Sequence, residues 1–312
     1  MSRTGVAFSF NGTAATIGFT SVTGNNSVEL VVDGGAPTVI SNVDGNNISV
    51  TKLTQGTHTV VLHKRSEALF GSLFVGDVTT DGTLVTGPEP THQIEIIGDS
   101  ISVGYGLDGT NPCTNTAAVE DNPKTYGALA ADKLGADYSI VAWSGKGLIR
   151  NYPTGGVDTS PIMPQLYTRY GADDADNSYT FPATWSPAAI VVNLGTNDFA
   201  YSGSRDPIDA SAFTTAMVKF VRTGIQAHYP KAHVFLMGSP MLSDPYPSAA
   251  DAQKTTETDA LKNATAQLGA NAHFVDWPTQ GSDVGCDYHP NAATHAAQGD
   301  VLAKAIAAAI GW

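Results

Sequence analysis

Cationic side chains are scarce in this sequence. Lys and Arg together number 16 against 29 Asp and Glu in 312 residues, a formal net charge of -13. A surface that acidic repels phosphate backbones and excludes nucleic acid as a partner. Charged residues of both signs make up only 14%, with 42% hydrophobic, which fits a soluble globular chain able to bury a large core. No apolar run is long enough to span a bilayer, so no membrane partner is expected. Cysteine is limited to Cys113 and Cys286. No metal spacing is present, because Cys286, His289 and His295 lack a fourth partner and a paired-cysteine motif. No Gly-x-Ser-x-Gly surrounds any serine, so the nucleophile elbow of the α/β-hydrolases is not the template. Gly104-Tyr105-Gly106-Leu107-Asp108-Gly109 imitates a dinucleotide fingerprint. It follows its strand too late, however, and leads into Thr110-Asn111-Pro112, which cannot open the required helix.

The first residues, Met1-Ser2-Arg3-Thr4-Gly5, carry no positive or apolar leader pattern, so no signal peptide is expected in them. Few lysines, abundant Thr, Ser, Asn and Gly, and four sequons at Asn11, Asn25, Asn47 and Asn263 suit a secreted protein. The expectation is a mature secreted chain with an added initiator Met.

Texture divides the chain. Residues 1–88 hold short β-type runs (Val6–Phe10, Ala15–Phe19, Ser27–Val32, Thr38–Ile40, Asn47–Val50, His58–Lys64, Gly71–Val75) separated by Gly, Asp and Asn turns, with no helical period. Many strands without crossover helices predict an antiparallel sandwich or jelly roll. Thr86-Gly87-Pro88-Glu89-Pro90 reads as a linker. Residues 89–312 alternate strand and helix: strands at Gln93–Ile97, Tyr138–Trp143, Ala188–Leu194, Ala232–Met237 and His273–Trp277, helices at 123–134 (Asn122 as N-cap), 210–229, 248–268 and 291–310. This pattern predicts an α/β domain whose parallel sheet is flanked by helices and whose site lies at the C-terminal strand edges.

Three motifs fall at such edges. Gly98-Asp99-Ser100 follows the first strand and offers a hydroxyl, with Ser102 as its rival. Gly195-Thr196-Asn197-Asp198 offers an amide. Asp287-Tyr288-His289-Pro290 offers a carboxylate two residues before an imidazole, and an extended i, i+2 pair points one way. Ser100 as nucleophile, His289 as base, Asp287 as its orienter, and an oxyanion hole built by the Ser100 and Gly145 N–H groups and the Asn197 amide would perform acyl transfer. Of the other histidines, His295 is expected to be exposed. Tyr288 and Tyr105 are expected as substrate neighbours. The aromatics of 150–187 (Tyr152, Tyr167, Tyr170, Tyr179, Phe181, Trp185) either line a sugar cleft, with Trp185 as the substrate contact, or pack on the core.

The order of these motifs resembles the SGNH (GDSL-type) hydrolases. Finer runs narrow the likeness to carbohydrate esterase family 2: Lys64-Arg65-Ser66-Glu67-Ala68 ahead of Gly76, Gly98 to Gly106, Ser144-Gly145-Lys146-Gly147-Leu148-Ile149-Arg150-Asn151-Tyr152, and Gly285-Cys286-Asp287-Tyr288-His289-Pro290. The resemblance covers essentially the whole chain and implies a jelly roll before an SGNH domain. It also implies removal of acetyl groups from plant polysaccharides or oligosaccharides, often at the 6-hydroxyl of hexoses, with no cofactor; the chain itself is expected to be a monomer. It places the acid of most SGNH enzymes at Cys286, so Asp287 is one residue nearer His289 than usual, and some family members rely on a backbone carbonyl instead. Cys113 and Cys286 flank the nucleophile turn and the histidine, and a disulfide between them is expected. Rival readings are another SGNH lipase or thioesterase, or a carbohydrate-binding protein with a vestigial site.

Overall fold

The computed structural model describes residues 5–87, 90–154, 156, 158–175, 177–200 and 205–312; Met1–Thr4 and the Pro88-Glu89 pair of the expected linker lie outside them. Eight strands come first: β1 Gly5–Gly12, β2 Ala15–Gly24, β3 Val28–Val32, β4 Thr38–Ile40, β5 Asn47–Val50, β6 Gly56–Lys64, β7 Gly71–Thr80 and β8 Thr83–Val85. They form two antiparallel sheets, ordered β4-β3-β6-β1-β8 and β5-β2-β7. The period-two alternation at the start of β6 sends His58, Val60 and Leu62 inward. There they meet Phe10, Ile17, Phe19, Val28 and Ile48 in the sandwich core. Each such side chain, fully buried, contributes about 1.5–3 kcal/mol of transfer free energy.

Five parallel strands follow: β9 Gln93–Gly98, β10 Asp137–Ala142, β11 Ala189–Asn193, β12 His233–Met237 and β13 Ala272–Val275. Their spatial order is β10-β9-β11-β12-β13. Buried on both faces, they read as continuous apolar runs. In β9, Ile94 and Ile96 face one core and Ile97 the other. The helices are α1 Ser100–Val103, α2 Tyr126–Leu134, α3 Met163–Leu166, α4 Thr196–Phe199, α5 Ala210–Lys219, α6 Gln253–Leu268 and α7 Ala292–Ile310. The pair α2 and α7 covers one face, α5 and α6 the other. Strand order reverses between β9 and its neighbours β10 and β11. A crevice therefore opens beyond the carboxyl end of β9, the place where open α/β sheets bind their ligands.

Helix starts differ from the sequence expectation in two places. Asn122–Lys124 form a separate 3-10 turn and α2 begins at Tyr126. The Asn122 side chain caps nothing; it donates to the Ser102 carbonyl at 3.0 Å instead. The helix expected from 248 starts at Gln253, after turns that end at Ala252 with φ 41°. The segment expected as one helix over 210–229 runs as α5 into a wider π-helical turn, Phe220–Ile225.

Candidate active site

The chain leaves β9 through Gly98, where no side chain fits: a Cβ there would lie 2.0 Å from Ser102 Oγ. Asp99 caps α1, its carboxylate accepting from the Ile101 N–H at 3.0 Å. Ser100 opens that helix at the crevice. The rival Ser102 is fully buried and bonded to the Tyr126 hydroxyl at 2.8 Å, so it is out of reach of substrate.

Ser100 Oγ lies 2.9 Å from His289 Nε2. His289 Nδ1 lies 3.2 Å from the main-chain carbonyl of Asp287. A carbonyl can only accept, so Nδ1 carries the hydrogen and Nε2 is left to take the Ser100 proton. The expectation that the Asp287 carboxylate orients the base is overturned. That carboxylate accepts from the Tyr105 hydroxyl at 2.9 Å and the Asn115 N–H at 3.2 Å. The reason is local backbone. Asp287 and Tyr288 have φ of 50° and 64°, so the pair is no extended i, i+2 unit and the side chain turns away while the carbonyl faces the ring. Asp287 thus belongs to the site through its main chain.

Several bonds hold this turn in its left-handed shape. The Asp287 N–H donates to the Cys113 carbonyl at 3.0 Å, the Cys286 N–H to Gly106 at 3.1 Å, and the Gly285 N–H to His289 at 2.8 Å. Cys113 and Cys286 are joined by a disulfide, as expected. The Tyr105 ring stacks on the imidazole with centroids 4.0 Å apart. Burial pushes His289 down to about 4, against the raising pull of the Asp287 carbonyl and charge. A base depressed this way stays neutral near pH 7 and ready to accept a proton.

The opposite lip is the loop after β10, Trp143 to Arg150. Gly145 adopts φ 77°, a conformation other residues resist. Its carbonyl accepts from the Tyr152 N–H at 2.8 Å, and its own N–H makes no bond to protein among the described residues. The Asn197 amide, at the start of α4, donates to the Lys146 carbonyl at 2.8 Å and to Asp99 Oδ2 at 3.2 Å. Both its hydrogens have protein acceptors, so an oxyanion would share one of them. Sequence reading missed Asp198, which is fully buried. Its carboxylate accepts from the N–H groups of Leu148 at 2.8 Å, Ile149 at 2.8 Å and Arg150 at 3.1 Å. Burial pushes Asp198 up to about 6, while these bonds pull it down. The signal was the one acid of Gly195-Thr196-Asn197-Asp198, directly after the amide.

Two further expectations are corrected. Trp185 is no substrate contact: its indole donates to Glu95 Oε2 at 2.9 Å, and its neighbour Ser186 donates to the Gln93 side chain, at the end of β9 away from Ser100. His295 is buried, not exposed. It accepts from the Tyr126 N–H at 3.1 Å and stacks on the Tyr126 ring. Of the aromatics in 150–187, Tyr167 and Phe181 pack into the core, whereas Tyr152 is 42% exposed beside Gly145. Tyr288, 69% exposed, stands next to the base. Among the described residues no group of His, Cys, Asp and Glu could hold a metal ion.

Residues 96–297 match the GDSL-like Lipase/Acylhydrolase family, and residues 1–88 match the family described as Carbohydrate esterase 2 N-terminal. The cellulase/esterase CelE of Acetivibrio thermocellus is 32% identical over the whole chain, which spans only 37% of that protein. An acetylxylan esterase / glucomannan deacetylase of Cellvibrio japonicus is 31% identical over 91% of this chain and 78% of its own length. Among solved structures, a carbohydrate esterase family 2 enzyme with a carbohydrate binding domain, from Corynascus thermopiles (Myceliophthora fergusii), shares 71% identity. It superposes with a TM-score of 0.95 over 99% of this chain and 94% of that one. A family two esterase from Clostridium thermocellum in complex with cellohexaose shares 30% identity, with a TM-score of 0.83 over 99% and 93%. With both parts of the chain matched, a serine and histidine in contact at the sheet's reversal point, and a β sandwich ahead of them, this protein belongs to carbohydrate esterase family 2.

Proposed function

We infer that the protein is a serine esterase that removes O-acetyl groups from plant polysaccharides and their oligosaccharides, of the acetyl xylan and glucomannan type. The observation that carries this is the 2.9 Å contact between Ser100 Oγ and His289 Nε2, with Nδ1 fixed on a carbonyl. Ser100 Oγ attacks the acetyl carbonyl carbon and gives its proton to His289. The oxyanion that forms is met by the free Gly145 N–H, the Ser100 N–H and the Asn197 amide. The intermediate collapses, the bond from acyl carbon to sugar oxygen breaks, and His289 gives the proton to that departing oxygen, which leaves as a hydroxyl. Water, deprotonated by His289, then attacks acetyl-Ser100, acetate leaves and Ser100 regains its proton.

The relatives' names, such as acetylxylan esterase / glucomannan deacetylase, support acetyl sugars as substrates, and the 6-hydroxyl is the position that the resemblance to the family implies. The exposed Tyr288 and Tyr152 suit flat sugar faces beside the reacting atoms. We propose that residues 1–88 and 89–312 are its two domains, and that it works as a monomer in a secretory or extracellular compartment, where the disulfide and the sequons fit. Acetate release from acetylated xylan, acetylated glucomannan and glucose 6-acetate tests the reading. The native chain is expected to act on at least one polymer and to prefer the 6-acetate over a 3-acetate, and Ser100→Ala to release none. Native turnover confined to long-chain acyl esters would replace it with the lipase reading.

A further inference from the structure

Between β6 and β7 the sandwich sends out a short segment, Arg65-Ser66-Glu67, that ends against the esterase half. Arg65 anchors it. The guanidinium is buried and donates to Ser27 Oγ within the sandwich at 2.8 Å and to Asp121 Oδ2 across the junction at 2.8 Å. The Asn122 N–H donates back to the Arg65 carbonyl at 3.1 Å. Two residues on, Glu67 is 2% exposed. Its own N–H donates to Glu120 Oε2 at 2.9 Å. Its carboxylate accepts from the Ser144 N–H at 2.9 Å and from the Ser144 hydroxyl through a short bond. Ser144 immediately precedes Gly145.

We propose that Glu67 is a positioning residue for the reaction: the β sandwich holds the Gly145 N–H in place to meet the oxyanion, through two bonds from Glu67 to Ser144. Two contacts to one residue fix the Trp143–Ser144 peptide plane, and the next peptide carries the Gly145 N–H. Beyond Gly145, the Tyr152 N–H on the Gly145 carbonyl and Asp198 on residues 148–150 hold the other end. The loop is thus pinned on both sides of an N–H left free for substrate.

A merely adhesive contact would not need a buried carboxylate, which is costly to desolvate unless paired. The groups facing it are Lys64, Glu120 and Ser144. Burial pushes both carboxyls above the ordinary carboxylate range, Glu120 the further of the two, while the bonds from Ser144 and the charge of Lys64 draw Glu67 back down. Lys64, whose ammonium donates to the Ser66 and Glu67 carbonyls, supplies the nearby positive charge.

This inference rests on the esterase reading, and the test separates the two. In the full chain, kcat and KM on an acetylated sugar are measured for Glu67→Ala and Glu67→Gln, with the Kd of an alkyl boronic acid that forms a tetrahedral anionic adduct on Ser100. Glu67→Ala is expected to lower kcat about 10- to 100-fold, below the effect of deleting an oxyanion donor outright. KM should stay within about 2-fold, and boronate affinity should fall by the same factor as kcat. Glu67→Gln keeps an acceptor for the Ser144 N–H and should recover most of the loss. If Glu67→Ala does not fold, Ser144→Ala removes only the hydroxyl bond and is expected to lower kcat a few-fold. A folded Glu67→Ala with native kcat, or Ser144→Ala with native kcat where Glu67→Ala cannot be made, overturns the proposal while leaving the esterase reading intact. A native chain without acetate release overturns that reading itself.

Discussion

The two lips of the crevice are built on different principles. On the base side, His289 rides a tight turn held by a covalent bond, Cys113–Cys286, and by main-chain hydrogen bonds, and even its orienting partner is a carbonyl. On the oxyanion side, the Trp143–Arg150 loop is held by buried carboxylates, Asp198 and Glu67, that accept main-chain N–H groups. The base must keep one imidazole in one tautomer, and a neutral dipole suffices for that. The oxyanion lip must keep an N–H aimed at charge that appears only in the transition state. Acceptors with full charge hold neighbouring N–H groups more firmly than neutral ones do.

The comparison breaks most sharply at its base side. His289→Ala is expected to lower kcat/KM on acetyl esters by about 10³-fold or more, as loss of a catalytic base does. Asp287→Ala leaves the carbonyl in place and should cost less than about 10-fold; equal losses in the two variants would restore the carboxylate to the role the structure takes from it. Next in size is the contrast between the ties themselves. Asp198→Ala leaves three N–H groups unpaired and should cost about 3 kcal/mol in a denaturant titration and about 10²-fold in kcat. Replacing both cysteines by serine should cost a similar 2–5 kcal/mol but less than about 10-fold in kcat, because the main-chain bonds of the turn persist. A larger kcat loss from the cysteine pair than from Asp198→Ala would reverse the comparison.

The smallest effect is one of pH. His289 must be neutral to act, and its value of about 4 lies below the ordinary imidazole range. Activity is therefore retained as pH falls through 6.5 and is lost as it falls toward 4. A pH profile of kcat/KM checks this, and an acid limb at 6.5 would show that water reaches the ring as freely as in an unfolded chain.

Much of this was legible in the sequence for physical reasons. Parallel strands buried on both faces announce themselves as apolar runs, and a glycine that admits no side chain, Gly98, marks where the nucleophile leaves its strand. Both strand-end motifs landed beside each other because the sheet reverses its order there. What stayed hidden depended on dihedral angles or on distant contacts. The φ of Asp287 turned a carboxylate away from the residue it was expected to serve. Trp185 found a buried partner in Glu95 at the far end of β9, and His295 took an N–H at the start of α2. Glu67 is 77 residues from the serine it holds, and nothing local marks that contact.

A catalytic carbonyl has one more consequence. Evolution can exchange a side chain by one mutation, but it cannot delete a peptide group without deleting the residue. The orienting function at position 287 is therefore shielded from point substitution, and what drift must preserve is a backbone shape. Left-handed φ values are tolerated best by Gly and Asn. Diverging lineages are free to change the acid there while keeping the reaction, provided that the turn survives.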